Sequence, residues 1–326
     1  MKNVRRGYYR HCRAAIYVMI AALVFSRVAA GEVNVRETAA GAAVTIDGDA
    51  FCVYRTISGH QPVIWPIFGP GGQAMTRQYP LGPKLPSEKD DHPHHRSLWF
   101  NHGSVNGRDF WMEPPEDASP EKDNQIIHRE FRELASGDLG RIVSVNDWTS
   151  GGEKIAEDVR TIECWADEHG RWIDFAVEIS ASEGDVVFGD TKEGSFGVRV
   201  PGTMDVDAKQ GGRIRNSRGY ADEAAWGRAA EWVDYHGPVE GRPAGIVIFD
   251  LPDSFRHPTK WHVRTYGLFA ANPFGQEDFP KTDDPEQGEA KIAKGEKLRL
   301  HYRVLFYSGE KSANQLQAIY KQYGGE

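Results

Sequence analysis

The sequence of 326 residues has little cysteine and few long apolar runs. It has three cysteines and no Cys-x-x-Cys pair, which argues against a thiolate zinc site. Beyond the first 30 residues no apolar run reaches about 18 residues, the length that a membrane-spanning helix needs. Helical periodicity is also scarce, while 35 glycines and 18 prolines interrupt the chain often. These absences argue against a helical bundle and favour strands joined by turns.

The N-terminus follows the pattern of an export signal. Residues 2–13 are rich in Lys and Arg, residues 14–25 form an apolar stretch, and the small residues Val28 and Ala30 follow. This order predicts a signal peptide over residues 1–30, with an uncleaved N-terminal anchor as the alternative. We therefore predict an exported protein, periplasmic or extracellular, without a stable membrane span after cleavage. Its remaining cysteines, at positions 52 and 164, are expected either to pair or to stay as buried free thiols.

Acidic residues outnumber basic ones. The chain has 47 Asp and Glu against 39 Lys and Arg, which gives a formal net charge of −8. Removal of the basic N-terminal segment makes the mature chain more acidic still. Such a charge disfavours nucleic acid and anionic membrane surfaces as partners. An anionic substrate stays open, because a local basic pocket overrides the average charge.

Alternation of apolar and polar residues recurs along the chain. In residues 172–179 every second side chain is apolar, which is typical of a half-buried strand. A turn is predicted at Asp47 and Gly48, and only the end of the chain, from the N-cap Ser312 onward, predicts a helix. We predict an all-β fold, an antiparallel β-sandwich of two packed sheets with a short C-terminal helix, as one domain over residues 31–326.

The stretch DHPHHRSLWFNHGSVNGRDFW, residues 91–111, holds four of the twelve histidines. Neutral imidazole binds zinc, copper or iron and also transfers protons near neutral pH. His94 and His95 are adjacent, and on extended backbone they would point in opposite directions, so we do not expect both to bind one ion. His102 lies on a predicted strand, on the face opposite to Trp99. The stretch predicts either a pocket or a polar loop whose histidines bond to the backbone.

The segment FGDTKEGSFGVRV, residues 188–200, surrounds three charged residues with glycines. Asp190, Lys192 and Glu193 are predicted to lie on a tight turn that presents them to a cleft. There a carboxylate could serve as a general base and the lysine as an electrostatic clamp. The alternative is an ordinary charged hairpin turn.

The segment KWHVRTYGLFAANPFG, residues 260–275, places a polar row on a predicted strand. His262, Arg264 and Tyr266 alternate to one face, and Trp261 lies on the other. A row of this kind is costly to bury without partners, so it either faces solvent or lines a pocket. The combination of His, Arg and Tyr suits an oxygen-rich ligand, including a carboxylated one.

These three stretches, together with NSRGYADEAAWGRAAEWVDYHG at residues 216–237, resemble the bacterial PmoA-like proteins. That family is common in Planctomycetes and largely of unknown function, and the resemblance covers nearly all of the mature chain. It implies a β-sandwich similar to the galactose mutarotase-like supersandwich, a fold that often binds or processes carbohydrates on a concave sheet face. A methane monooxygenase subunit, which the family label suggests, needs several membrane-spanning helices, and the chain lacks the apolar runs for them.

The leading hypothesis is an exported, carbohydrate-active enzyme that binds a carbohydrate or another small oxygen-rich ligand. Epimerisation, hydrolysis and lyase-type elimination all fit its residues. The candidate catalytic residues are His94, His95, His102, Asp190, Glu193 and His262. The candidate substrate-binding residues are Arg96, Lys192, Arg264, Tyr266 and Trp261.

Two alternatives stay open beside this hypothesis. The first is a metal-dependent oxygenase or hydrolase that uses a divalent metal, with His94, His95 and His102 as candidate ligands and a carboxylate beside them. The second is a glycan-binding module without catalysis. Stoichiometric metal in the purified protein would favour the first, and glycan binding without turnover would favour the second.

Overall fold

A computed structural model describes residues 31–113, 123–280 and 288–324 of the protein. The predicted signal segment lies outside the described residues. Within them, no helix is both long enough and apolar enough to cross a membrane. The described chain folds into two large sheets, one small sheet and a C-terminal helix.

The two large sheets have eight strands each, and neighbouring strands pair antiparallel throughout the described chain. The strands of sheet I are, in spatial order, β1 (Val33–Thr38), β2 (Gly41–Ile46), β3 (Asp49–Ser58), β4 (Gln61–Ile67), β5 (Leu98–His102), β11 (Gly194–Arg199), β16 (Leu268–Asn272) and β15 (Lys260–Val263). The strands of sheet II are, in spatial order, β12 (Arg213–Asn216), β13 (Trp232–Val239), β14 (Arg242–Asp250), β18 (Lys297–Ser308), β9 (Gly170–Ser180), β8 (Glu153–Asp167), β7 (Gly140–Ser150) and β6 (Asn124–Ala135). The small sheet and the 3-10 helices are β10 (Val186–Phe188), β17 (Ala290–Ile292), Val206–Ala208 and Asp222–Ala225.

The inner faces of sheets I and II bury one continuous apolar core. Phe196 of sheet I shows how the sheets meet. Its ring centroid lies 4.9 Å from that of Tyr302 and 5.0 Å from that of Phe175, both in sheet II. Such aromatic contacts add to the free energy that burial already supplies. The prediction of an all-β antiparallel sandwich with one short C-terminal helix is confirmed.

The helix α1 (Ala313–Gln322) covers the outer face of sheet II. Ser312 caps it: its hydroxyl accepts the Gln315 N–H at 3.3 Å, and the Gln315 side chain accepts the Ser312 N–H at 2.8 Å, which is a capping box. Apolar residues of the helix pack on Trp172 of β9. Strand β9, predicted to be half-buried, is buried over most of its length. The helix covers Trp172 on its outer face, and His301 and Arg303 pair with Asp174 there.

Two further sequence predictions concern a turn and the cysteines. The turn at Asp47 and Gly48 joins β2 to β3 as predicted, with both residues at positive φ. Cys52 of sheet I and Cys164 of sheet II lie in the core as free thiols. Their side chains are in contact across the sandwich, and the hydrogen bond to Cys52 raises the pKa of Cys164.

Candidate functional site

The outer face of sheet I, turned away from sheet II, carries the candidate site. Four cross-strand partners form a row on it: Trp99 of β5, Gly197 of β11, Ala270 of β16 and His262 of β15. Neighbouring strands lie about 4.8 Å apart, so the row spans roughly 14 Å. The Trp99 indole lies across Gly197, where a Cβ would come within 2.6 Å of the ring. All four residues are buried, so the row forms the base of the candidate site, called here the floor, with Trp99 at its aromatic end and His262 at its imidazole end.

A tight turn at residues 91–95 brings three histidines to the aromatic end. His92 has a left-handed backbone with φ of 45°, and its carbonyl accepts the His95 N–H at 3.0 Å. The turn sets the His94 and His95 rings side by side, with centroids 4.4 Å apart and planes at 78°. The expectation that these two side chains point in opposite directions was wrong, because it assumed extended backbone.

Four nearly parallel rings adjoin one another at this end of the floor, with the Tyr266 centroid also 6.5 Å from that of His95. They are, in order, Tyr266, His92, His95 and Trp99. Successive centroids lie 5.1, 4.8 and 5.4 Å apart, and successive planes differ by 8°, 9° and 16°. Each aromatic pair of this kind is worth about 0.5–1.5 kcal/mol beyond its burial. The stack therefore forms a wall of fixed geometry.

Two buried arginines secure the turn through Asp91. Arg77 Nη1 and Arg199 Nη2 donate to the same carboxylate oxygen, Oδ1, at 2.7 and 2.9 Å. Arg77 also donates to the backbone carbonyls of Asp91 and His92, at 2.9 and 2.8 Å. One carboxylate faces two guanidinium groups, so this group of residues keeps a net positive charge beside the stacked rings.

Arg199 also determines which nitrogen of His95 carries the proton. Its Nη1 donates to His95 Nδ1 at 2.9 Å. Since a guanidinium cannot accept a hydrogen bond, Nδ1 holds the lone pair and neutral His95 is protonated on Nε2. Burial lowers the pKa of His95 well below its ordinary value. Burial, and then the charge of His92, lower the pKa of His94 to about 4. Both rings are neutral at pH 7.

His262, at the other end of the row, has the opposite tautomer. Its Nδ1 donates to the Lys192 carbonyl at 2.6 Å, so the neutral ring keeps its lone pair on Nε2. Burial is the main reason that the pKa of His262 falls to about 3. No described residue hydrogen bonds to this Nε2, to His95 Nε2 or to either ring nitrogen of His94. His262 thus presents a proton acceptor, and His95 presents a donor.

The segment over residues 260–275, predicted as a strand, is a hairpin. Strand β15 ends at Val263, and residues 264–267 turn back into β16. Gly267 has φ of 100°, a conformation that favours glycine, and its N–H donates to the Arg264 carbonyl at 3.1 Å. The alternation rule therefore applies to His262 but not to Tyr266, which reaches the site from the turn.

The turn nevertheless brings the predicted polar row together. The Arg264 guanidinium lies between two rings, 5.6 Å from the centroid of Trp226 and 5.6 Å from that of Tyr266. The Trp226 ring also lies 6.5 Å from His262. A cation over aromatic faces is stabilised by the ring quadrupoles. Trp226 and Arg264 thus link His262 to Tyr266 through a chain of neighbouring side chains.

Lys192 and Glu193 lie at the rim of this site, just before β11. Lys192 Nζ lies 3.5 Å from Glu193 Oε1 and 3.9 Å from Asp278 Oδ2, and all three side chains are partly exposed. Burial raises the pKa of Tyr266, and the charge of Glu193 raises it further. These two predicted residues therefore contribute charge at the edge of the site, where water screens it.

His102 and Trp261 face the core and not the candidate site. His102 is fully buried and uses both ring nitrogens, with Nδ1 3.1 Å from Ser195 Oγ and Nε2 2.8 Å from the Gly189 carbonyl. The Trp261 indole N–H donates to the Ala230 carbonyl at 2.9 Å within the core. Strand alternation puts Trp99 and His262 outside and these two residues inside. Their grouping with the pocket residues is corrected accordingly.

Arg96 and Asp190 have structural partners that occupy their polar groups. Arg96 Nε donates to Glu113 Oε1 at 2.5 Å, and its Nη1 donates to Ser58 Oγ at 3.1 Å. Asp190 Oδ1 accepts the backbone N–H groups of residues 276 and 277 at 2.7 and 3.0 Å. Arg96, predicted to bind substrate, is therefore an ion-pair partner of Glu113. Asp190, predicted to be catalytic, anchors a loop.

Arg77 and Arg199 are the main residues that sequence reasoning missed. Arg77 lies in a loop rich in Gly and Pro, where nothing in the pattern sets it apart. Arg199 follows Val198 on β11 and precedes Val200, both of which are buried in the core. A charged residue between two core valines is the one signal available, since alternation turns it to the outer face.

The described part of the chain has no group of three His, Cys, Asp or Glu side chains arranged to hold a metal ion. His94 and His95 are close enough to share a ligand. The third predicted metal ligand, His102, faces the core with both ring nitrogens hydrogen bonded. The predicted combination, His94 or His95 with His102 and a carboxylate, is therefore not brought together among the described residues.

Comparisons with known proteins begin with the sequence. The model of a family of unknown function, DUF6807, matches residues 41–321. No curated protein sequence matches this one. Neither result names a PmoA-like protein, so that resemblance stays a prediction.

Similar solved structures include a polysaccharide lyase and a glycoside hydrolase family 97 enzyme from Pseudoalteromonas sp. strain K8. The match to the lyase covers 90% of this chain and 34% of the lyase, at 14% identity and a TM-score of 0.34. The match to the hydrolase, seen in complexes with panose and with acarbose, covers 86% of this chain and 34% of the enzyme, at 9% identity and a TM-score of 0.33. The chain spans about a third of the length of each, and the likeness is distant.

Proposed function

The chain belongs to DUF6807, a family of unknown function, and on that premise we propose that it is a carbohydrate-active enzyme whose chemistry is proton transfer by histidine. The substrate lies on the floor of sheet I, between the stacked rings and His262. In an elimination His262 removes a proton from carbon and passes it to the oxygen that leaves, while a carbon–carbon double bond forms. His95 donates a hydrogen bond to a substrate oxygen, and Arg264 and Tyr266 orient the sugar. His94 is the second candidate for the proton-transferring group.

The observation that carries this proposal is the pair of neutral histidines with opposite tautomers on one row. His262 has a lone pair on Nε2 because its Nδ1 donates to a carbonyl, and His95 has a proton on Nε2 because its Nδ1 accepts from Arg199. Acid–base chemistry needs one group that accepts a proton and another that stabilises the charge developing on the substrate. Neutral His262 can accept a proton and neutral His95 can donate a hydrogen bond, so neither ring has to change its protonation state first.

The half-buried aromatic rings support a carbohydrate as the substrate. Tyr266 and Trp226 each keep part of their surface exposed, and both lie beside the floor. Aromatic faces pack on the apolar faces of sugars, while neighbouring polar groups bond to the hydroxyls. Arg264 supplies donors between the same two rings.

Among reaction classes, the site favours proton abstraction, as in epimerisation or β-elimination, over glycoside hydrolysis. Hydrolysis usually requires two carboxyl groups on either side of the scissile bond. Of the two carboxylates predicted here, Asp190 anchors a loop through two backbone N–H groups and Glu193 lies at the rim beside Lys192. Abstraction requires one base and a set of donors, which His262, His95 and Arg264 provide.

The test is a screen of oligosaccharides in deuterated buffer, followed by NMR. Proton abstraction appears as solvent deuterium at carbon, as an unsaturated product or as an epimer. We expect His262→Asn to lower kcat by roughly 10²- to 10⁴-fold with a much smaller change in KM. Asparagine retains a donor for the Lys192 carbonyl but removes the proton-accepting Nε2. A fully active His262→Asn variant, or no exchange and no product with any sugar, would overturn the proposal.

His169→Gln is the matched control for this test. His169 lies in the turn between β8 and β9 of sheet II, away from the floor of sheet I. The control should retain wild-type kcat. Thermal unfolding of each variant separates loss of chemistry from loss of fold.

The N-terminal segment supports the further proposal that the enzyme acts outside the cytoplasm. Its basic, apolar and small-residue order supports export, so the enzyme would meet its substrate outside the cytoplasm. Edman sequencing of the protein from the exported fraction should begin at Gly31. Recovery of the full chain from the cytoplasmic fraction alone would contradict this.

A further inference from the structure

We infer that Arg264 and Trp226 form a subsite for a carboxylate, so that the substrate is an acidic sugar such as a uronate. This inference rests on the proposed function and names the class of carbohydrate. It depends on the Arg264 guanidinium, a neighbouring cavity and a fixed backbone, all at the end of the floor where His262 lies.

Arg264 is a cation without a protein counter-ion. Its guanidinium makes no hydrogen bond or ion pair with any described residue, although it is half-buried between two rings. The other arginines around the site each have a carboxylate partner, since Arg77 and Arg199 share Asp91 and Arg96 pairs with Glu113. A partly desolvated guanidinium has five donors in a rigid fork that matches a carboxylate. Arg264 is therefore the group placed to take an anion from outside the chain.

A cavity of about 240 Å³ opens next to this guanidinium. Arg264, Thr265, Val263 and Trp226 line it, together with Glu223. The Trp226 indole N–H is buried and has no acceptor in the part of the chain that the structure describes. A buried donor without a partner costs about 1–3 kcal/mol, which an acceptor-rich ligand in this cavity would recover. Guanidinium and indole together favour a ligand group rich in acceptor oxygens.

The backbone under Arg264 is held firmly in place. The Arg264 N–H donates to the Leu268 carbonyl at 2.8 Å, and the Tyr235 hydroxyl lies 3.3 Å from the Arg264 carbonyl. A pre-set backbone limits the entropy that is lost when the side chain orders on a ligand. The guanidinium and the His262 ring also share Trp226 as a neighbour, at 5.6 and 6.5 Å from its ring centroid. A sugar carboxylate on Arg264 thus puts the sugar ring within reach of the proposed base.

The carboxylate would also adjust the chemistry of the base. Burial lowers the pKa of His262, and the positive charge of Arg264 lowers it further. A bound carboxylate offsets that charge and moves the pKa of His262 back towards its ordinary value, which makes the ring a better base. The same guanidinium stabilises the negative charge that develops when a proton leaves the carbon next to the carboxylate.

Among the described residues that line this cavity, Glu223 is the one that is acidic, and it works against an anionic ligand. Its side chain is exposed, on the 3-10 helix Asp222–Ala225. Water and salt screen an exposed charge, so its effect on an anion beside the half-buried Arg264 is small. Removal of this charge should act in the opposite direction to Arg264→Gln: Glu223→Gln should strengthen carboxylate binding by about two- to threefold.

The test compares oligouronates with their methyl esters, which lack the carboxylate charge and carry an added methyl group. Trimers of galacturonate, mannuronate, guluronate and glucuronate and their esters are titrated against the full chain by calorimetry. We expect measurable binding of at least one uronate trimer, and a Kd for its methyl ester that is at least tenfold higher. Arg264→Gln should weaken binding of the acid by roughly 10- to 100-fold and leave ester binding unchanged. Arg264→Lys should retain only part of the affinity, because it keeps the charge without the fork.

Arg242→Gln is the control, since Arg242 is exposed on β14 of sheet II and pairs with Glu240. Equal binding of acid and ester would overturn carboxylate recognition and leave the carbohydrate function standing. Equal affinity of wild type and Arg264→Gln for the acid would overturn the assignment to Arg264. Absence of binding and turnover for all acids, esters and neutral oligosaccharides would overturn both proposals. Thermal unfolding of Arg264→Gln shows whether the fold is retained.

Discussion

Asp91→Asn tests most directly whether the carboxylate shared by Arg77 and Arg199 stabilises the site. Asp91 Oδ1 accepts from Arg77 and from Arg199. The two arginine side chains are 1% and 3% exposed, whereas that of Asp91 is 32% exposed. Asparagine keeps the shape and one acceptor oxygen but removes the charge. The variant therefore leaves two buried guanidinium groups without the carboxylate that they share.

The expected cost follows from this burial. Removing one partner of a buried ion pair costs about 3–5 kcal/mol. The exposure of Asp91 and the oxygen that asparagine retains both reduce the cost, so we expect about 2–3 kcal/mol at pH 7. A loss of this size is a large part of the 5–15 kcal/mol that stabilises a typical domain.

The assay is unfolding in guanidinium chloride at fixed ionic strength. The midpoint should fall while the slope m stays unchanged, which identifies a loss of stability rather than a change in the surface exposed on unfolding. The control is Asp90→Asn at the neighbouring position, where the side chain is 73% exposed and pairs only with the exposed Lys84. That control should show no measurable change. Equal behaviour of the two variants would refute the reasoning.

The pH dependence gives a second check with a defined sign. Burial acts to raise the pKa of Asp91, but the charges of Arg199 and Arg77 outweigh it and hold the pKa below its ordinary value. A carboxylate with a depressed folded-state pKa contributes stability that is present above the unfolded pKa of about 3.9 and is lost as pH falls through the folded value. The difference between wild type and Asp91→Asn should therefore vanish in acid. A difference that stays constant from pH 7 to pH 2 would contradict the electrostatic origin.

Three further predictions concern the floor, an ion pair and the helix cap. Gly197→Ala should cost about 1–3 kcal/mol and shift tryptophan fluorescence, because its Cβ would meet the Trp99 ring at 2.6 Å; an unchanged spectrum would argue against the contact. Burial lowers the pKa of His301, but the hydrogen bond and charge of Asp174 raise it overall. The ion pair of protonated His301 with Asp174 therefore contributes stability below the unfolded pKa of about 6.5, and this contribution is lost as pH rises through the folded value. In urea unfolding, His301→Gln should therefore lower the free energy of unfolding more at pH 6 than at pH 8. Ser312→Ala should cost about 1 kcal/mol through loss of the capping box, and calorimetry that shows an unchanged Tm would exclude this role.

Local pattern was sufficient for much of the fold. Period-2 alternation predicted that Trp99 and His102 lie on opposite faces, and the same rule separates Trp261 from His262. The turn at Asp47 and the N-cap at Ser312 likewise depend on a few neighbouring residues. These features could be predicted because each is set by backbone geometry over a short stretch of chain.

The grouping of site residues could be predicted only in part. His262, Arg264 and Tyr266 do come together, though through a hairpin turn and not along one strand. His102 was grouped with His94 against the alternation rule, and the structure follows the rule. The sequence pattern does not show that Glu113 neutralises Arg96, because that pairing depends on how a loop crosses the end of the sheet.

The sequence by itself determined the alternation of inner and outer faces, the short turns and the C-terminal cap, because those depend on interactions between near neighbours. Tertiary structure alone decided which strands lie side by side, and so brought β5, β11, β16 and β15 into one floor from distant parts of the chain. It also decided which nitrogen is free on each imidazole: Arg199 bonds to His95, and the Lys192 carbonyl bonds to His262. Such pairings join residues about 70 to 100 positions apart, and no local periodicity encodes them.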